Sequence, residues 1–133
     1  MRFPLRSFIA CVVAAGCLTY ANAGHNPPLL IRPDGAAELL APGGTVLGVF
    51  MESTYEPGEF AIGPGDRLVF YTDGITESRN AAGDEYGEER LVDAARRFRT
   101  LPAADMLASL LEEIVAFNNS TYEDDATLII AAL

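Results

Sequence analysis

Two acidic positions in the 133-residue chain stand where apolar runs meet polar loops. Asp73-Gly74 directly follows residues 67–72, and Asp124-Asp125 directly precedes residues 126–130. If those two runs are antiparallel neighbours in a sheet, the end of one lies beside the start of the other. The carboxylates of Asp73 and Asp124 then converge at one rim. Converging carboxylates repel each other unless a cation offsets them, and hard divalent ions such as Mg²⁺ or Mn²⁺ take oxygen ligands of this kind. Glu77, four residues after Asp73, is placed to hold a water beside such an ion. A plainer reading competes. Asp-Gly after a strand is first a hairpin turn signal, and an Asp-Asp pair before a strand is commonly a solvated loop.

Other reactive residue types offer less. His25 is the only histidine and has no Ser or Cys partner in a nucleophile motif, so a hydrogen-bonded loop role is expected. Ser53, Ser78 and Ser109 lack the flanking glycines of a nucleophile elbow. Cys11 and Cys17 are the only cysteines; they build no disulfide scaffold and have no zinc-type spacing. Tyr20, Tyr55 and Tyr71 fall on strand candidates and read as core or rim residues.

The elements that must hold the carboxylates follow from pattern. Residues 67–72 (Arg-Leu-Val-Phe-Tyr-Thr) form the clearest strand, rich in β-branched and aromatic types. Before it, short strand candidates at 29–31, 38–40, 46–50 and 55–62 are separated by Gly/Pro turns such as Pro33-Asp34-Gly35 and Pro64-Gly65-Asp66. The second half changes period. Leu91, Ala94, Ala95 and Phe98 stand at helical spacing after a polar loop at 80–86. Pro102 suits the first turn of a second helix, whose stripe would be Met106, Leu107, Leu110, Leu111, Ile114 and Val115. Residues 126–132 close with an apolar run expected to be a buried strand. Strands, two helices and a final strand predict an α+β fold, mostly antiparallel, with helices on one sheet face.

Composition narrows the function classes. Half the residues are hydrophobic and the formal net charge is −10, with all nine basic residues arginine. An acidic chain without a basic cluster is a poor binder of nucleic acid and is repelled by anionic lipid. No stretch reaches the roughly 18 apolar residues of a membrane span. The first 23 residues carry two readings. Arg2 and Arg6, an apolar stretch over 7–18 and Ala21-Asn22-Ala23 look like a secretory signal with a cleavage site. The same residues fit a β-hairpin, with strands at 8–13 and 17–23 joined at Ala14-Ala15-Gly16.

Four segments, taken in order, resemble the C-terminal half of SpoIIE/RsbU-like PPM serine/threonine phosphatases. They are Leu18-Thr19-Tyr20-Ala21-Asn22-Ala23-Gly24-His25-Asn26-Pro27-Pro28; residues 64–77, with Tyr71-Thr72-Asp73-Gly74-Ile75-Thr76-Glu77 at their end; Tyr86-Gly87-Glu88-Glu89-Arg90-Leu91; and Asp124-Asp125-Ala126-Thr127-Leu128-Ile129. The likeness runs from about Phe8 to the end. It implies that the first segment belongs to the domain's own sheet, which favours a cytoplasmic hairpin over a secreted protein. It also implies an α-β-β-α sandwich, of which this chain would be a part, and a binuclear Mg²⁺ or Mn²⁺ site. The implied reaction is hydrolysis of phosphoserine or phosphothreonine by a metal-activated water. Carried over by position, Asp73 and Asp124 match metal ligands, Asp125 is a neighbour of the ligand set, and Gly74 keeps the backbone tight beside the metal. The implied substrate is a phosphorylated anti-anti-sigma (STAS) protein.

The chain also departs from the family pattern. The family's N-terminal part carries a glycine/histidine motif whose Asp bridges both metals, and nothing here matches it; His25 sits in the later hairpin. The expectation is one incomplete domain over 1–133, with two ligands of one ion and weak or no activity alone. Missing strands would leave exposed edges that invite self-association or the missing N-terminal part. The alternatives are a non-catalytic module that docks a regulatory partner and a small secreted protein.

Overall fold

The computed structural model describes residues 8–14, 16–23, 26–40 and 58–133. In chain order the elements are β1 (Phe8–Ala14), β2 (Cys17–Ala23), β3 (Leu29–Ile31), β4 (Ala37–Leu39), β5 (Gly58–Ala61), β6 (Arg67–Tyr71), α1 (Asp73–Thr76), α2 (Gly87–Phe98), α3 (Ala103–Asn118) and β7 (Leu128–Ala132). His25, Ser53, Tyr55 and the strand expected at 46–50 lie outside the described residues. The chain divides into two compact units, Met1–Pro27 with Leu40–Gly63, and Pro28–Leu39 with Pro64–Leu133.

The first unit holds an antiparallel sheet in the order β1-β2-β5. Residues 8–14 and 17–23 pair in full register, from Phe8↔Ala23 to Ala14↔Cys17, which is the hairpin expected from the apolar runs. Gly16 takes φ +75° at the turn, where a glycine avoids the Cβ penalty.

The second unit holds an antiparallel sheet in the order β4-β3-β6-β7. Alternation along β3 and β6 puts Leu29, Ile31, Val69 and Tyr71 on one face. That face meets Leu91, Ala94 and Ala95 of α2 and Met106, Leu110 and Ile114 of α3, with Ile75 and Tyr86 completing one buried cluster. Helices segregated to one face of an antiparallel sheet give the expected α+β class. Asp66, 2% exposed, is paired with Arg32 at 2.7 Å just before β6 begins. Pro33-Asp34-Gly35 is a tight turn closed by the Gly35 N–H donating to the Arg32 carbonyl at 2.9 Å.

Several details differ from the sequence expectation. Pro102 stands at the N-cap of α3, just outside the helix. The buried row of α3 is Met106, Leu110, Ile114 and Asn118, whereas Leu111 and Val115 are 37% and 38% exposed. The fully buried positions form one row at i, i+4 spacing, with Phe117 partly buried against the same cluster, so the buried stripe is narrower than the apolar positions suggest. The final strand is not fully buried either. Lying last in the sheet order, β7 pairs only with β6 among the described residues, and Ile129 is 54% exposed on the face away from the helices. The described residues contain no helix long and apolar enough to cross a membrane.

Candidate functional site

The strand β6 carries the first acidic residue and β7 follows the second pair. They are neighbours, antiparallel, with Tyr71 opposite Leu128. Pairing continues past the strand ends, because the Thr72 N–H donates to the Thr127 carbonyl at 3.2 Å. The chain does not turn back as a hairpin after β6. Thr72 is extended (φ −108°, ψ 165°), and Asp73–Thr76 winds into the single turn α1. The Ile75 N–H donates to the Thr72 carbonyl at 2.9 Å, and the Glu77 N–H to the Asp73 carbonyl at 2.8 Å. Below the turn, the buried Ser78 hydroxyl donates to the Ile75 carbonyl at 2.8 Å.

Two contacts join α1 to the 124–127 segment. The Thr72 hydroxyl donates to the Asp125 carbonyl at 3.3 Å and accepts the Thr127 N–H at 2.9 Å. Gly74 lies directly against the Asp125 backbone: a Cβ built there would collide with the Asp125 carbonyl oxygen and come within 3.0 Å of the Ala126 Cα. Only glycine permits that approach. The Asp73 and Asp124 segments therefore meet at one sheet rim, as the antiparallel argument requires.

The side chains there are open to solvent. Asp73, Glu77, Asp124 and Asp125 are all exposed. One Asp124 carboxylate oxygen, Oδ1, accepts the Asp125 N–H at 2.8 Å, which orients the group and leaves its other oxygen available. An open cavity of about 570 Å³ adjoins this segment, lined by Ile75, Leu111, Tyr122, Glu123, Asp124, Asp125 and Ala126. Asp73 is not among its lining residues. The donors are hard oxygens and suit Mg²⁺ or Mn²⁺, and the close approach at Gly74 brings their backbones together. Among the described residues no group of three or more His, Cys, Asp or Glu is arranged to hold a metal ion.

Behind the rim, Tyr71 is buried and its hydroxyl donates to Glu88 Oε1 at 2.8 Å, tying the end of β6 to the first turn of α2. Burial, followed by the Glu88 hydrogen bond and charge and then the charge of Asp73, pushes the phenol well above its ordinary range. Tyr86, also buried, packs edge-on to Phe117 at 5.4 Å, and Arg90 lies 4.8 Å above the same Phe117 ring. The Tyr86-Gly87-Glu88-Glu89-Arg90-Leu91 segment is thus a packing device that seats α2. Two contributors were not singled out from sequence, the Thr72 hydroxyl and Tyr122. A threonine between a strand end and Asp-Gly was the available signal for the first. Nothing local marks the second.

The model of the family described as Stage II sporulation protein E (SpoIIE) matches residues 5–133. The chain belongs to the SpoIIE family. It is 30% identical over 123 residues to protein IcfG of Synechocystis sp., covering 88% of this chain and 18% of that protein. It is 27% identical over 115 residues to the phosphoserine phosphatase RsbU of Bacillus subtilis, covering 84% of this chain and 33% of RsbU. In structure it matches the SiaA-PP2C domain of Pseudomonas aeruginosa with a TM-score of 0.78 and 19% identity, over 89% of this chain and 47% of that one. The catalytic domain of the phosphatase PstP, in complex with 2 manganese ions, matches with a TM-score of 0.63 and 17% identity, over 95% of this chain and 57% of that one. These last two likenesses establish the PP2C-type fold. The SpoIIE-family chain spans between about a fifth and three-fifths of the proteins and domains it matches.

Proposed function

We propose that this chain supplies the Asp73 and Asp124 side of a metal-dependent protein serine/threonine phosphatase site. The observation that carries the reading is the apposition of the 72–74 and 124–127 segments at one sheet rim. Asp73 and Asp124 would hold a divalent ion, Mg²⁺ or Mn²⁺. Such an ion, when bound, lowers the pKa of water and offsets charge on the transferring phosphoryl oxygens. The chain's own residues do the rest. Gly74 allows the two backbones to touch, the Asp125 N–H aims Asp124, and the cavity floored by Ile75 and Leu111 receives the substrate chain beside the phosphorylated side chain. Asp125 and Glu77 stand ready to hold water near the ion.

Membership of the SpoIIE family and the name of RsbU support phosphoserine on a protein as the substrate, and a phosphorylated STAS regulator in the cytoplasm is the specific form we propose. We also propose that the chain is the C-terminal part of such a domain, because two carboxylates fill only part of a binuclear site. The test has two arms on the 133-residue chain. Calorimetric titration with Mn²⁺ is expected to detect binding that Asp73→Asn and Asp124→Asn each remove; equal binding by all three proteins would overturn the site. Hydrolysis of a phosphoserine peptide in Mn²⁺ is expected to be weak or absent. Robust turnover would sink the claim that the site is partial. A non-catalytic module that docks a regulatory partner is the second reading. Loss of peptide turnover without loss of partner binding in those same Asn variants of the longest protein containing this chain argues against it.

A further inference from the structure

Thr72 occupies the N-cap of α1, where a threonine hydroxyl ordinarily accepts an N–H from the first turn of its own helix. Here it makes no such bond. It reaches instead across to the other strand's approach, donating to the Asp125 carbonyl at 3.3 Å and accepting the Thr127 N–H at 2.9 Å. A hydroxyl can serve as donor and acceptor at once, and both roles are used on one three-residue segment. Asp73 is the next residue along one side of this bridge, and Asp124 immediately precedes the bonded Asp125 on the other.

We propose that Thr72 is a positioning residue whose hydroxyl fixes the separation of the Asp73 and Asp124 carboxylates. The inference rests on the metal reading above only for its consequence; the bridge itself exists without metal. The competing explanation, that the hydroxyl merely adds stability at a strand end, is weakened by its geometry. The Thr72 main-chain N–H already pairs with the Thr127 carbonyl, so the ladder reaches this point unaided. What the hydroxyl adds is an acceptor for the Thr127 N–H and a hold on the Asp125 carbonyl, beyond the last ladder bond and next to the acidic pair. Gly74 supplies the steric stop on the same Asp125 backbone. A hydrogen-bonded tether on one side of Asp73 and a close contact on the other leave the two segments little freedom to slide.

The test compares wild type, Thr72→Val, which keeps the shape and loses the hydroxyl, and Thr72→Ser, which keeps the hydroxyl. In metal-free protein, amide hydrogen exchange at Thr127 is expected to speed up about tenfold in Thr72→Val and to stay near wild type in Thr72→Ser, as loss of one such bond implies. Amides of α2 and α3 should be unaffected. In a Mn²⁺ titration, Thr72→Val should bind about five- to tenfold more weakly and Thr72→Ser within twofold of wild type. Asp73→Asn is the control. Unchanged exchange at Thr127 in Thr72→Val overturns the inference whether or not metal binds. So does wild-type Mn²⁺ affinity in Thr72→Val when Asp73→Asn has lost it. If wild type and Asp73→Asn behave alike toward Mn²⁺, the metal reading fails by itself, and the exchange arm still decides whether Thr72 holds the two segments together.

Discussion

Gly74 is where one methyl group probes the contact between the two acidic segments. The atom a Cβ would meet is the Asp125 carbonyl oxygen, part of a backbone that has no rotamer to move into. Gly74→Ala must therefore displace the 124–127 segment, at an expected cost of about 1–3 kcal/mol in urea unfolding. An unchanged urea midpoint would mean the segments are apart in solution. Tyr71 gives a prediction in pH. Its phenol titrates above the ordinary value of about 10 because it is buried and donates to Glu88. Tyr86 shifts the same way, through burial and then Glu113, partly countered by Arg97 and Arg90. The sign follows from proton counting. Above pH ~10 the unfolded chain loses phenolic protons that the native chain keeps, so the stabilisation is complete below that pH and lost as pH rises. Tyr71→Phe should cost about 1 kcal/mol at neutral pH through the lost hydrogen bond, and should make the alkaline fall in melting temperature shallower. An equally steep fall in the variant would remove Tyr71 as its source. At this scale the places of Asp73 after one strand and Asp124 before another were legible, because residue type and position relative to a strand end are local facts. The Thr72 bridge was not: whether a hydroxyl caps its own helix or reaches another strand depends on which strand lies beside it.

The helices were legible as elements, since a 3.6-residue period is written along one stretch of chain. Which apolar side chains of α3 reach the core was only partly so, because that depends on the angle at which the helix lies on the sheet. The difference can be measured. Leu110 is fully buried and Leu111 is 37% exposed, although the two are adjacent and chemically identical. Leu110→Ala should cost about 2–5 kcal/mol, and Leu111→Ala less than about 1 kcal/mol. Equal losses in urea unfolding would put α3 in a different rotation. Asn118 continues the buried row at its C-terminal end, 2% exposed, with neither amide atom hydrogen-bonded among the described residues. An unpaired buried amide costs free energy that an apolar group of similar shape does not. Asn118→Leu should therefore raise stability by about 1 kcal/mol; a loss instead would imply an ordered water bonded to the amide. The strand β7 was legible from its composition, but its half-exposed state follows from its place at the end of the sheet order, which no local pattern encodes.

At the scale of the whole molecule, the charge of −10 on 133 residues makes the folded chain self-repelling, and the apposed Asp73 and Asp124 segments add to that locally. Any salt relieves the general repulsion by screening, whereas a specific ion site responds to a divalent ion at fixed ionic strength. The two effects separate in a melting experiment at ~0.5 M NaCl, where the Debye length has shrunk to only a few ångström. There, Mn²⁺ at a hundredfold excess over its dissociation constant should stabilise the wild-type chain by about 2.7 kcal/mol, because it binds the native state alone. Asp73→Asn and Asp124→Asn each remove one negative charge from the apposed segments, so without metal they should melt at the wild-type temperature or slightly above it. With Mn²⁺ they should gain nothing further. That opposition, equal or better stability in chelator and no response to the ion, is specific to carboxylates brought together to bind a cation. A solvated acidic loop would instead give all three proteins the same small increment with Mn²⁺, and that result would reduce the sheet rim to a charged surface.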